Sequence, residues 1–429
     1  MDTKSDNINK LVKPELPGGF RDALPEDMIA KQKMMDVIRG VFERFGFDPM
    51  ETPAVEKTEV LLGGEKESGK IIFNVIGSEE EKSDSSLRFD LTVPLARVLA
   101  ANPNIPKPFK RYQIGKAWRG ERQQAGRYRE FLQMDADILG AKSLDADAEV
   151  IQVIYEILKA LGVSNFTIRL NNRKEVAQIL ASVGVAENNI EKTLVEIDKE
   201  DKRTPEEWAK GVKDASGLED EVADDLIQKI SSDKNPGPEV DEVRKKAVAL
   251  GVPETILKYD ASLVRGFSYY TGSVFEALLN DLPRFGSVFG GGRYDGLTLR
   301  FSRDSWPAVG ASIGVDRLFA ALEELGKIKK QQTLTQVLIL NLSDDYAAEY
   351  AEFARQLREA GVNTAIYLGD DRAFSAQLAY AVKKEIPLVV IYGEKEANTG
   401  NTQVKDLRTK EQAEIPKDGL SEFIKNRLV

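Results

Sequence analysis

Met34, Met35, Ile38, Val41, Phe42 and Phe45 recur at helical spacing along an otherwise polar stretch. Pro25, Glu26 and Asp27 ahead of them suit a first helical turn, where a proline loses no hydrogen bond and acids face the positive end of the dipole. With Gly46 as a stop, the spacing predicts a core-facing helix from Pro25 to about Phe45. The following segment carries Pro49 and Pro53, which exclude a helix interior. Residues 71–76, 87–92, 111–118, 128–139 and 166–170 read as strands, with a helix near 146–161. Many strands joined by tight turns, with helices to one side, predict an α+β domain on a mainly antiparallel sheet.

From 172 to 258 the texture changes. Charge is dense, and Val176, Ile179, Leu180 and Val183, then Ile190, Leu194 and Ile197, fall at helical spacing, which predicts a helical insertion. The sheet pattern returns over 259–325. A polar linker, 326–334, leads to alternating elements over 335–429: strand 337–342, helix 345–360, strand 363–368, helix 373–385 and strand 387–392. Such alternation predicts a small α/β domain with a mainly parallel sheet. Residues 1–13 read as a mobile polar lead, and 14–171 belong with 259–325.

The chain of 429 residues has no cysteine and no histidine. Disulfides, thiolate nucleophiles, imidazole bases and any metal site built from His or Cys are excluded. Chemistry is left to carboxylates, arginines and hydroxyls. Net charge is −10 and the pI is about 5.1, so a nucleic-acid site has to be a local patch. The N-terminus lacks an apolar signal-peptide core and no apolar run is long enough to span a bilayer, which makes a cytoplasmic protein the expectation.

Four stretches carry candidate chemistry. Lys107, Lys110, Arg111, Lys116, Arg119, Arg122, Arg127 and Arg129 face a single acid, Glu121, within one short region of an acidic chain. A solvated hairpin tip would explain that charge. Arg127, Arg129, Phe131 and Gln133 alternate, however, and would share one strand face, where guanidinium groups suit phosphate and a phenyl ring can stack on a base. In LRFDLTVP, Asp90 and Thr92 would likewise share a strand face and could hold an ammonium group; a plain surface strand explains them equally well. VFGGGRYDGL, 288–297, offers either close backbone approach to a ligand or a tight turn with a bulge. PAVGASIGVDRL, 307–318, reads as a small-residue strand leading through Gly314 into a helix that bears Arg317. A further stretch, LVRGFSYYTGSVFE, sets Arg265 among apolar neighbours, which points it toward a ligand.

In their order and spacing these stretches resemble the three motifs of class II aminoacyl-tRNA synthetases, with Pro53 at the first, Arg119–Asp137 as the second and Pro307–Leu318 as the third. Leu263–Glu276 and Val288–Leu297 resemble the two blocks particular to histidyl-tRNA synthetases. The C-terminal portion is similar to the anticodon-binding domain of that and related families. The resemblance runs from Pro17 onward.

It implies a class II catalytic domain on a mainly antiparallel sheet with a helical insertion, plus a C-terminal α/β anticodon-binding domain. It also implies a ligase that makes histidyl-adenylate from L-histidine and ATP, then passes the histidyl group to histidine tRNA. Neither step needs a protein nucleophile. The family's pattern assigns Arg119 and Arg265 to catalysis at the α-phosphate, and Glu121, Phe131 and Arg317, with Arg119, to ATP. It assigns Asp90, Thr92 and Gln133 to the substrate ammonium group, and Asp137 and Tyr270 to the two ring nitrogens. Tyr269, Tyr294 and Arg265 complete the histidine site, and Arg122 and Gln124 face the tRNA acceptor end. ATP would enter as its Mg2+ complex, no prosthetic group is implied, and the first motif implies a homodimer. Ser268 departs from the family, which usually has an acid or amide there. Asp90 and Asp137 stand where many bacterial members have glutamate. The alternative within the fold is a non-catalytic histidine-sensing relative of the ATP phosphoribosyltransferase regulatory type.

Overall fold

A computed structural model describes residues 12–428 except 64–70, 78–83, 122–127, 201–202, 233–234 and 265–268. The chain divides into two compact units. One joins the residues up to Asp22 with Met34–Lys327; the other joins Ala23–Lys33 with the chain from Ile328 onward. The first helix, Pro25–Arg44, contributes to both, and Ile38, Val41 and Phe42 on its apolar face are fully buried.

The first unit is built on an eight-stranded sheet. Its spatial order is Asp48–Pro49, Phe109–Trp118, Glu130–Leu139, Ala308–Gly314, Ser287–Arg293, Ser273–Leu279, Phe166–Asn172 and Leu257–Tyr259. The inner pairings are antiparallel, and the outermost pairing at each edge is parallel. The helices Asp145–Ala160 and Val315–Glu324 pack on it. Met134, Ala136 and Ile138 alternate with Gln133, Asp135 and Asp137 along one central strand, and all six are buried. A strand at the middle of a covered sheet has no solvent face, so its polar side chains line an internal cavity.

Three sequence readings change here. Residues 87–92 are not one strand: the strand is Ser85–Leu87, and a helix, Thr92–Ala101, begins where the pattern suggested extended chain. Its apolar side, with Val93, Leu95 and Leu99, packs with Phe89 and Trp306, and that burial outweighs the β-branched start. The glycines of 290–292 lie inside the strand Ser287–Arg293 rather than in a turn, with the register shift falling earlier, between Ser287 and Phe289. The C-terminal sheet is mixed, as described below.

Residues 173–249 form the helices Arg173–Ser182, Glu187–Ile197, Pro205–Ser216, Asp220–Ser232 and Pro238–Ala249. Val176, Leu180, Leu194, Ile197, Trp208 and Val212 share one core among them. Thr204 starts one of these helices with a reciprocal capping box to Glu207. The strand Leu257–Tyr259 then returns the chain to the sheet edge.

In the second unit the strands Val337–Ile339, Thr364–Ile366 and Leu388–Ile391 are parallel and connected through helices Ala347–Glu359 and Phe374–Lys383. A hairpin, Asn401–Asp406 with Gln412–Pro416, extends the sheet in antiparallel sense. The sheet is therefore mixed, whereas the βα alternation up to residue 392 predicted a mainly parallel one. Among the described residues no helix is long and apolar enough to cross a membrane.

Candidate active site

A cavity of about 970 Å³ opens over the sheet of the first unit. Asp90, Thr92, Arg119, Glu121, Phe131, Gln133, Asp137, Tyr269, Tyr270, Tyr294 and Arg317 all line it. Arg265 lies outside the described residues, as do Arg122, Gln124 and Arg127 in the basic stretch and Ser268 in the block that contains Arg265.

Asp90 does not reach the cavity from a strand face with Thr92. It sits just ahead of the helix Thr92–Ala101, where one carboxylate oxygen accepts from the Val93 N–H at 3.1 Å. Helix N-termini favour such acceptors. The other oxygen is buried and has no hydrogen-bond partner among the described residues. Burial pushes the Asp90 carboxyl up to about 6.

Arg119 follows the strand Phe109–Trp118. Its Nε donates to the Phe89 carbonyl at 3.1 Å, and its guanidinium lies 4.9 Å from the centre of the Phe131 ring. A cation and an aromatic face thus stand side by side on one wall. Arg317 leaves the first turn of the helix Val315–Glu324 and donates to the Ser287 carbonyl at 2.7 Å, tying that helix to the glycine strand. Beside it Asp316 accepts from the Leu132 N–H at 2.9 Å and from Arg21 at 2.8 Å, so a residue near the start of the unit braces the second and third motifs.

The floor is more elaborate than the sequence suggested. Asp137 hydrogen-bonds the Tyr294 hydroxyl and pairs with Arg111, whose Nη2 is 2.8 Å from its second oxygen. Arg111 is completely buried and sits directly across from Asp137 in the sheet register. It had counted as part of a basic surface; it is the counter-charge beneath the floor. Lys110 and Lys116 are likewise engaged, with Glu149 and Glu130. Arg129 lies just before the strand Glu130–Leu139 and binds the carbonyls of Gly18 and Glu121, while Phe131 and Gln133 face the cavity.

Glycine makes the floor possible. A Cβ at Gly310 would lie 2.0 Å from Asp137 Oδ1, and one at Gly292 would lie 2.9 Å from the Tyr270 ring. Tyr269 packs between Tyr270, tilted against it, and Tyr294, edge to face, with ring centroids 4.9 and 6.0 Å away. Burial pushes the Tyr269 and Tyr294 hydroxyls well above the usual tyrosine range, so both stay protonated donors. Sequence reasoning missed Arg111, Asp135 and Asp316. Asp135 could have been found: it alternates with Gln133 and Asp137 on one strand face.

An antiparallel sheet flanked by helices, with an arginine and an aromatic ring on the second-motif strands and another arginine at the head of the third-motif helix, defines a class II aminoacyl-tRNA synthetase. The family described as "Histidyl-tRNA synthetase" matches residues 19–318, and "Anticodon binding domain" matches 336–427. A histidine–tRNA ligase of Stenotrophomonas maltophilia is 37% identical over 460 aligned positions, covering 97% of this chain and 99% of its own. One from Wolinella succinogenes is 39% identical, covering 94% and 96%. The crystal structure of a histidyl-tRNA synthetase from Nostoc sp. PCC 7120 superposes with a TM-score of 0.83 at 32% identity, over 97% of this chain and 100% of that one. The chain belongs to the histidyl-tRNA synthetase family. It is an aminoacyl-tRNA synthetase, a ligase that joins histidine to tRNA, and the non-catalytic histidine-sensing alternative is not favoured.

Proposed function

We propose that this cavity activates L-histidine with Mg2+-bound ATP and then charges histidine tRNA, using the residues that line it. The histidine carboxylate attacks the α-phosphorus of ATP and pyrophosphate leaves. A hydroxyl of the tRNA's terminal ribose then attacks the carbonyl carbon of the adenylate and AMP leaves. What the protein supplies is orientation and charge. Arg119 stabilises the α-phosphate and Phe131 stacks on adenine; the observation that carries this is the pairing of the guanidinium and the ring at 4.9 Å on one cavity wall. Arg317 meets the outer phosphates, and Glu121 completes the nucleotide site. Arg265, by the family pattern, neutralises the α-phosphate from the opposite side, and Arg122 and Gln124 face the acceptor end.

Asp137 accepts from one imidazole nitrogen and Tyr270 engages the other, with Tyr269 and Tyr294 closing the ring pocket. The Arg111 pair and the Tyr294 hydrogen bond support an ionised, oriented Asp137. Burial works against that charge and raises its carboxyl, so the pair with Arg111 is what keeps the acceptor available. Such a polar pocket rejects side chains that cannot fill its hydrogen bonds. Asp90, Thr92 and Gln133 take the ammonium group. The chain acts as a homodimer through its first motif, in the cytoplasm where tRNA is charged.

Histidine-dependent exchange of pyrophosphate into ATP tests the reading. Exchange with histidine and no other amino acid is expected, from a species that sediments as a dimer. No exchange, exchange driven by another amino acid, or activity in a sedimenting monomer would count against the corresponding part.

A further inference from the structure

Four buried acceptor atoms in the cavity wall have no hydrogen-bond partner among the described residues: Asp90 Oδ2, Gln133 Oε1, Asp135 Oδ1 and Asp137 Oδ2; the last is ion-paired with Arg111 at 2.8 Å, which leaves three with neither kind of partner. Asp135 is 2% exposed, Asp90 3% and Gln133 7%. Buried acceptors without donors are costly and uncommon, and three together around one cavity call for a ligand that brings donors. Among the described residues no three acidic side chains are grouped so as to hold a metal ion. A primary ammonium group carries three N–H donors and one positive charge.

We propose that Asp135 is a further specificity residue of the histidine site, forming with Asp90 and Gln133 a three-acceptor cradle for the substrate's α-ammonium group. The inference rests on the histidine-activating reading of this cavity. The structure prepares each acceptor in a different way. Asp90 is oriented by the Val93 N–H. The Gln133 amide nitrogen donates to the Ser312 hydroxyl at 2.6 Å, which turns its carbonyl oxygen away from Ser312 and leaves it unpaired. Ser312 is in turn the cross-strand neighbour of Asp135, which places its hydroxyl beside both side chains.

Without a cation the arrangement is electrostatically frustrated. Burial, with the neighbouring Asp137 and Asp90, outweighs Arg111 and lifts the Asp135 carboxyl to about 7. An ammonium group within hydrogen-bond reach would reverse that and return it to the ionised form. Two carboxylates against one ammonium also give the site a preference for amino acids over their deaminated analogues.

The test compares L-histidine with imidazolepropionate, which is histidine without its amino group. Binding of each to the full-length protein and to its Asp135→Asn variant is measured by calorimetry, with thermal melts of both proteins. Asparagine keeps the shape but presents a neutral group, so D135N should melt at or above the parent temperature. It should weaken histidine by about ten- to hundredfold while leaving imidazolepropionate within about twofold. An unchanged ratio of the two affinities overturns the assignment. So does an equal loss for both ligands, which would mean a general distortion. A D135N protein that melts below the parent, or fails to fold, also overturns it, because the carboxylate would then serve the fold. If the parent protein neither binds histidine nor exchanges pyrophosphate with it, the functional reading itself falls, an outcome separate from any behaviour of D135N.

Discussion

Gly310 occupies the one place in the third-motif strand where a side chain would strike the floor of the cavity. It pairs in register with Asp137, and a Cβ there would lie 2.0 Å from the Asp137 carboxylate and 2.8 Å from the Ala136 carbonyl. The backbone at Ala136 belongs to a central strand and cannot retreat, so the carboxylate has to move. Gly310→Ala is therefore expected to displace Asp137 from Tyr294 and Arg111. A loss of about 1–3 kcal/mol in stability should accompany it. Pyrophosphate-exchange kinetics should show a rise in KM for histidine well beyond any rise in KM for ATP. Equal effects on both substrates, or none, would contradict the role given to this contact.

At the scale of elements, the helix Phe374–Lys383 ends with a signature that the residue type does not fit. The N–H groups of Glu385 and Ile386 bond back to the carbonyls of Val382 and Ala381, the closing pattern usual for a helix with a left-handed residue after its end. That residue is Glu385, at φ 56°, exposed and with a Cβ that disfavours the conformation. Glu385→Gly should stabilise the protein by about 1 kcal/mol, read as a higher denaturant midpoint with an unchanged slope. A destabilised variant would show that the glutamate side chain compensates in some other way. The glycine strand Ser287–Arg293 is the contrasting case. Its flexible residues are pinned at the far end by Arg293, which pairs with the fully buried Asp147 and binds the carbonyls of Ala141 and Ser143. A strand that yields space to the tyrosines is thus held rigid just before Tyr294.

For the molecule as a whole, the buried acids predict an unusual pH response. The folded state holds the Asp135 proton up to about 7 and the Asp90 proton up to about 6, both raised from 3.8. Asp137 and Asp147 shift in the same direction through burial. In the unfolded chain all four release protons near the ordinary carboxylate value. Across this window the unfolded state binds fewer protons than the folded one, so stability falls as pH rises. Thermal melts of the ligand-free protein should drop between about pH 4 and pH 7, and saturating histidine should flatten that drop by stabilising the ionised carboxylates. Melts that are flat or rising without ligand would refute the frustrated state of the floor.

Local pattern carried much of this molecule. Helical spacing located Pro25–Arg44 and Asp145–Ala160 to within a residue or so at each end, because an amphipathic helix repeats its contacts every few positions. The order of the motifs was enough to define the family, and the residues it singled out within the described chain do gather around one cavity. Long-range contact decided the rest. Asp90 took a helix entrance instead of a strand because the apolar side of Thr92–Ala101 had a core to join. The hairpin after residue 400 made the second sheet mixed, and nothing in the preceding βα alternation bears on an added antiparallel edge. Arg111 looked like surface charge until the register set it across from Asp137. The alternation with Gln133 and Asp137 marks Asp135 along the strand, but its role depends on Asp90 and Ser312, which distant parts of the chain bring to the same cavity. Periodicity is a property of neighbours along the backbone, whereas the electrostatics of a buried site belong to residues that only the folded sheet brings together.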